Sequence, residues 1–420
     1  MTRGVVEQIV NAVLYEGYIL YPYRPSSVKN RQRWTFGGIY PQQYSRAQGV
    51  SEPSMLQTEC LVLGDEQTVL DVRVRFLHLV DRTVGALAAP IREMPAVGEP
   101  SFRLVEAQRV GGRVFTPWQE AMEREVSVSG VPLGALTEGR QCQAIAFPAT
   151  RQLEPVIDPA GEIVGVLLRC QVAIQGTVEV AAQRLEEGLF RISVRVENVT
   201  GGPLSAFGIP PPSVGESQYQ AFSGPPRPEL HSDRPGTDLA QRCASDPRMT
   251  PYLPARSSPP RLGERSGERA GPTASRDFAL LQAFVSAHVI LGLRAGAFVS
   301  LLDPPERYVQ AAAECSNVGV WPVLVGAAER RDTMLASPII LYDYPEVAPE
   351  SPGDLFDGTE TDEILTLRIL AMTDAEKEEM RQTDERARAL LERTEQLQPA
   401  QLARLHGVMR SPHVGEGRTS

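Results

Sequence analysis

Lysine is nearly missing from this chain of 420 residues: among its 42 basic side chains only Lys29 and Lys377 are lysine, the rest being arginine. That bias matches the coding habits of a GC-rich genome and carries no structural requirement. A net charge of -10 speaks against a general nucleic-acid binder, whose surface would be basic. No uninterrupted apolar run reaches the ~18 residues of a membrane span. Glu7 breaks the apolar N-terminus and no small-residue cleavage site follows, so no secretory signal is expected. The five cysteines, Cys60, Cys142, Cys170, Cys243 and Cys315, are odd in number, scattered and free of any C-x-x-C spacing. They imply reduced thiols and a cytoplasmic location. Nucleophile elbow, P-loop and dinucleotide fingerprint are missing, and the five histidines show neither H-x-x-x-H nor H-E-x-x-H spacing. The residues therefore assign no catalytic, cofactor-binding or metal-ligating position.

What the chain does have is concentrated at its start. Asn11 to Pro41 reads NAVLYEGYILYPYRPSSVKNRQRWTFGGIYP, with Tyr15, Tyr18, Tyr21, Tyr23 and Tyr40 interleaved with Arg24, Lys29, Arg31, Arg33 and Trp34. Tyrosine, tryptophan and arginine join large contact area to polar handles, which is why they dominate binding hot spots. Two readings stay open: the segment is a partner-binding arm, or it packs on its own core while its arginines pair with the chain's carboxylates. Residues 1–50 hold six basic and two acidic side chains, and residues 346–420 nine and sixteen, so the two ends carry opposite charge. Asp354 and Asp357, in an acidic loop from Asp343 to Glu363, complete the candidate partner-binding set. Solvated carboxylates and helix caps explain that loop more simply than a cation site does.

Periodicity predicts an α+β, β-dominated chain built on an antiparallel, jelly-roll-like β-sandwich. The expected units are an N-terminal helix with the aromatic and basic segment packing on the core (1–50), sandwich strands (51–209), a disordered Pro/Gly/Ser-rich insertion (210–272), further strands with a short helix (273–345), and an acidic loop with C-terminal helices (346–420). Val6, Ile9, Val10, Val13 and Leu14 form one stripe of a helix over Val5–Tyr15. Val72, Val74, Phe76, His78 and Val80 alternate with Arg73, Arg75, Leu77 and Leu79 as a half-buried strand. Val164–Val180 continues one such alternation. Phe278–Leu302 predicts a hairpin turning between Gly292 and Gly296, with the insertion lying between neighbouring strands. Pro304–Cys315 reads as a short helix and Pro338–Tyr342 as a short buried strand. Thr373 and Glu376 form a capping box that opens a helix from Asp374 to Gln396, and Pro399 opens a last one through Met409. His78 is expected as a hydrogen-bonded core histidine and His288 as a partly solvated one. Whether His78, His288 and Cys315 converge is left open.

Two long stretches, the Asn11–Pro41 run and SPIILYDYPEVAPESPGDLFDGTETDEILTLRIL from Ser337, resemble a bacterial family seen largely in actinobacteria. Genes of that family lie beside those for oxygen-tolerant [NiFe] uptake hydrogenases and their maturation factors. The resemblance covers most of the chain outside Gly201–Ser275 and carries over no catalytic residue. It implies a cytoplasmic accessory or assembly protein that contacts a [NiFe]-hydrogenase subunit or maturation factor. A metal-dependent or hydrolytic enzyme whose site converges in space, and a structural subunit of a larger complex, are the alternatives.

Overall fold

Val69–Ile91, a run of 23 residues rich in β-branched side chains, forms the longest strand and the spine of the molecule. In the computed structural model the described residues are 2–15, 34, 37–48, 52–201, 276–346, 359–383 and 385–397. The insertion expected over 210–272 and the helix expected through Met409 lie outside them.

The strands run in order as β1 (Met55–Leu63), β2 (Val69–Ile91), β3 (Phe102–Val105), β4 (Gln108–Val110), β5 (Arg113–Phe115), β6 (Trp118–Pro132), β7 (Gln141–Phe147), β8 (Thr150–Ile157), β9 (Ile163–Gln171), β10 (Ile174–Glu186), β11 (Leu189–Asn198), β12 (Val285–Arg294), β13 (Ala297–Val299), β14 (Trp321–Leu324) and β15 (Thr333–Ser337). A five-stranded sheet orders β13-β1-β11-β10-β7. An eight-stranded sheet orders β14-β15-β12-β2-β9-β8, with β6 and β3 on the other edge of β2. Every pairing in both sheets is antiparallel. The sheets face each other across one core, where Val72, Val74 and Phe76 of β2 meet Val178, Val180, Phe190 and Ile192. Burying each such side chain contributes about 1.5–3 kcal/mol, so this β-sandwich is held mainly by its interior.

Three sequence expectations change here. The outer face of β2 is not half-buried: α1 (Thr2–Tyr15), Trp34 and residues 37–44 cover it, so Leu77 and Leu79 are fully buried against Leu14, Trp34, Tyr40 and Tyr44. Val164–Val180 is not one strand but two, in opposite sheets. Gln171 ends β9 and Ile174 begins β10, and the two-residue crossing keeps the in-out parity and hides the break. Phe278–Leu302 is likewise a crossing rather than a hairpin: β12 pairs β2 and β15, while β13 pairs β1 in the other sheet. Ala295 takes a left-handed φ of 61°, and its carbonyl accepts from Thr68 Oγ1 at 2.8 Å, which turns the chain over. Strands β11 and β12, which precede and follow residues 202–275, thus belong to different sheets of one compact unit, so the described strands on both sides build a single sandwich.

The C-terminal part forms α6 (Thr359–Leu370), α7 (Asp374–Thr383) and α8 (Glu385–Gln396), after the short helices α2 (Gln42–Gln48), α3 (Leu133–Glu138), α4 (Arg276–Leu281) and α5 (Val309–Ala313). The capping box is present: Glu376 N donates to Thr373 Oγ1 at 3.3 Å and Thr373 N to Glu376 Oε2 at 2.8 Å. Asp374–Gln396 is two helices folded on each other, with Arg381 of α7 on Glu395 of α8 at 3.1 Å. Their apolar stripe, Met380, Leu390 and Leu391, closes with Leu365 and Ile369 around Trp118. The expected acidic loop is shorter than its sequence, because Asp362 and Glu363 already lie in α6. No helix of the described residues is long and apolar enough to cross a membrane.

Candidate functional site

The two motif stretches meet in space on the outer side of β12. Ile39 and Phe284 exchange backbone hydrogen bonds at 3.0 Å each, and Ala287 N donates to Gly37 O at 3.3 Å. Gly37 has φ 62° and lies so close to the second stretch that a Cβ on it would fall 2.9 Å from Pro338 Cβ. A glycine is the only residue that meets both demands. Asn198 Nδ2 ties the arrangement down by donating to Ile39 O and Gln282 O, both at 2.8 Å.

Beneath this junction β12 carries a bulge. Val285 pairs Leu77 and His288 pairs Arg75, so the strand holds one residue more than its partner. Ser286 takes φ 53°, a left-handed conformation that costs a non-glycine residue about 1 kcal/mol or more. His288 Nδ1 donates to Ser286 O at 2.5 Å, which leaves Nε2 as an acceptor without a partner, and Ser286 Oγ has none either. Both side chains are fully buried, so the expectation of a partly solvated His288 is corrected. The N-terminal segment and α1 seal that face, and burial holds the imidazole down to about 4. Arg75 beside it is neutralised by Glu7 at 3.3 Å and Glu123 at 2.9 Å.

From the junction the second stretch turns outward. Pro338–Tyr342 is not a strand: β15 ends at Ser337, and proline has no N–H to extend the ladder. Leu341 points in, against Val6, Ile9 and Val13 of α1, and the half-buried Ile339 packs on the same cluster. Ile340 and Tyr342 point out, 69% and 66% exposed. The turn is fastened at both ends: Ile339 N donates to Ser337 Oγ at 3.1 Å, and Asp343 accepts from Ser300 Oγ at 2.5 Å and Leu324 N at 2.8 Å. Trp321, at the start of the adjoining edge strand β14, is also exposed. Ile340 and Tyr342 are thereby held out to solvent on a pinned turn.

Of the partner-binding residues expected from sequence, Trp34 is buried among Leu77, Leu79 and Tyr40, and Tyr15 packs half-buried at the edge of the same cluster. Tyr18, Tyr21, Tyr23, Arg24, Lys29, Arg31, Arg33, Asp354 and Asp357 lie outside the described residues. His78 is a core histidine, its Nε2 donating to Val172 O at 3.0 Å. It faces the inside of the sheet that carries His288 on its outside, and Cys315 packs elsewhere, beside Tyr308 and Leu189. The three do not converge. Among the described residues no three His, Cys, Asp or Glu side chains gather in a metal-binding group. The exposure of Ile340 and Tyr342 was missed from sequence, although Pro338 before them and Asp343-Tyr344-Pro345 after them are turn signals.

No protein-family model matches this chain, and no curated protein matches it.

Proposed function

We propose that the chain is a cytoplasmic accessory protein that acts by binding another protein, with Ile340 and Tyr342 as the centre of the contact. The observation that carries this reading is the pinned turn at which both residues stand free of the core while Leu341 between them anchors it. An aliphatic and an aromatic side chain presented rigidly lose little entropy on binding. The motif resemblance supplies the partner class, a [NiFe]-hydrogenase subunit or maturation factor, and the role, assembly rather than catalysis. Co-purification of the tagged full chain from its native cells tests both parts. The expected result is recovery of a hydrogenase subunit or maturation protein by the wild type and its loss in the Ile340→Ser/Tyr342→Ser variant. Recovery of neither by the wild type, with normal hydrogenase activity in a deletion strain, sinks the assignment.

A further inference from the structure

The edge of a sheet is a row of unpaired N–H and C=O groups that can template another strand, and folded proteins blunt it with charges, proline, shortness or a covering loop. Most edges of the two large sheets are blunted in this way. Strands β3 and β13 are only four and three residues long. β6 carries Glu120, Glu123, Arg124 and Glu125, and β8 carries Arg151, Glu154 and Pro155. On β14 Pro322 has no N–H, and Leu324 is already occupied: its N–H donates to Asp343 Oδ1 at 2.8 Å and its carbonyl accepts from Tyr344 N at 2.7 Å. β7, the last strand of the five-stranded sheet, has none of these devices. Its seven residues, QCQAIAF, hold no charge and no proline, and they pair β10 without a bulge.

The register shows which groups of β7 are open. On β10, Gln175 accepts from Val199 N at 3.0 Å and donates its N–H to Thr200 Oγ1 at 2.9 Å, both on the β11 side. Alternate residues of β10, Gly176 and Val178, therefore turn their backbone to Ile145 and Gln143 of β7. Cys142, Ala144 and Ala146 point theirs away from the sheet. The Ala144 carbonyl accepts from the exposed side chain of its own neighbour, Gln143 Nε2, at 3.1 Å, and no described strand reaches this edge. Ile145 and Phe147 face the core, so the side chains on the outer face are small: Cys142, Ala144 and Ala146. Nothing bulky or charged on this strand keeps a second strand away.

We propose that β7 is the interface of a homodimer, pairing antiparallel with β7 of a second copy of this chain. A two-fold axis at Ala144 sets Gln143 opposite Ile145 of the second copy, Cys142 opposite Ala146 and Gln141 opposite Phe147. Arg140, whose charge is met by Glu179 at 3.0 Å, falls opposite Pro148, so no like charges face each other across the axis. The strand is thus complementary to itself, and the pairing joins the five-stranded sheets of both copies into one. Sedimentation velocity of the full chain across the micromolar range tests this, with a reversible monomer–dimer equilibrium as the expected result. Ala144→Lys sets two cations side by side on the axis and should raise the dimer dissociation constant about tenfold or more, with the melting transition of the monomer kept. Ala144→Pro, which removes an N–H that the sheet does not use, is the second variant if the first does not fold. Ile340→Ser/Tyr342→Ser, on the opposite edge of the other sheet, should dimerise as the wild type does. A wild type that stays monomeric at every concentration, a dimer that persists in a folded Ala144 variant, or one that is lost in Ile340→Ser/Tyr342→Ser overturns the interface.

Discussion

His78 and His288 are the same residue type, both fully buried, on opposite faces of one sheet, and their surroundings differ. Each is fully buried, gives one ring N–H to a backbone carbonyl and keeps the other nitrogen unpartnered. The arginine beside His288, Arg75, is held by two carboxylates, whereas Arg124 beside His78 is held by none. The outer face is therefore electrostatically complete, a seal made by α1 and the N-terminal stretch. On the inner side Arg124, half-buried, rests on the Phe147 ring at 4.5 Å and donates to Gln171 Oε1 at 3.3 Å instead of meeting a carboxylate.

The largest effect that bears on this contrast comes from the core between the two histidines. Phe76 stacks on Phe284 at 4.7 Å and meets Phe147 edge-on at 6.0 Å, so it supports both the Ser286 bulge and the Arg124 platform. Phe76→Ala is expected to cost about 3–5 kcal/mol in urea unfolding. A loss below ~1 kcal/mol would show that the two faces do not share one rigid core.

Acid comes next. In the unfolded chain each imidazole titrates near 6.5, and in the folded protein burial, with the nearby arginine, holds both near 4. Between those values the unfolded state binds more protons, so stability is full above 6.5 and falls as pH drops toward 4. The expected slope is ~1.4 kcal/mol per pH unit for each histidine. Urea midpoints between pH 5 and 6.5 measure it, and His288→Gln should remove about half of the histidine contribution. An unchanged slope in that variant means that His288 is not buried neutral.

The smallest effect is the most discriminating. Arg75→Met leaves the partly exposed Glu123 without its partner, while Glu7 keeps Arg73 at 2.6 Å, and is expected to cost about 1 kcal/mol. Arg124→Met strands no carboxylate, and its thermal midpoint should match or exceed that of the wild type. Equal destabilisation by the two substitutions would erase the distinction between the faces.

Much of the architecture could be read from the residues. Alternation along Phe190–Val196 and around Val72–Phe76 marked the inner faces, the Val6–Val13 stripe marked α1, and Thr373 with Glu376 marked the start of α7. Errors fell where local pattern and long-range pairing part company. A crossing between sheets and a hairpin within one look alike from Gly292 to Gly296, and only the partner of β13 tells them apart. Burial of the outer face of β2 depends on α1, Trp34, Tyr40 and Tyr44, which lie far away in sequence. Ile340 and Tyr342 looked like core because the run Ile-Ile-Leu-Tyr is apolar throughout, while Ile339 and Leu341 are the members turned inward.

The most direct measurement of the central claim is paired co-purification from native cells of the wild-type chain and the Ile340→Ser/Tyr342→Ser variant, each with its melting curve. The variant should melt within ~0.5 kcal/mol of the wild type, since both side chains are exposed, and should lose the hydrogenase subunit or maturation protein that the wild type retains. Retention of that partner at undiminished yield by the folded variant would contradict a contact centred on this turn.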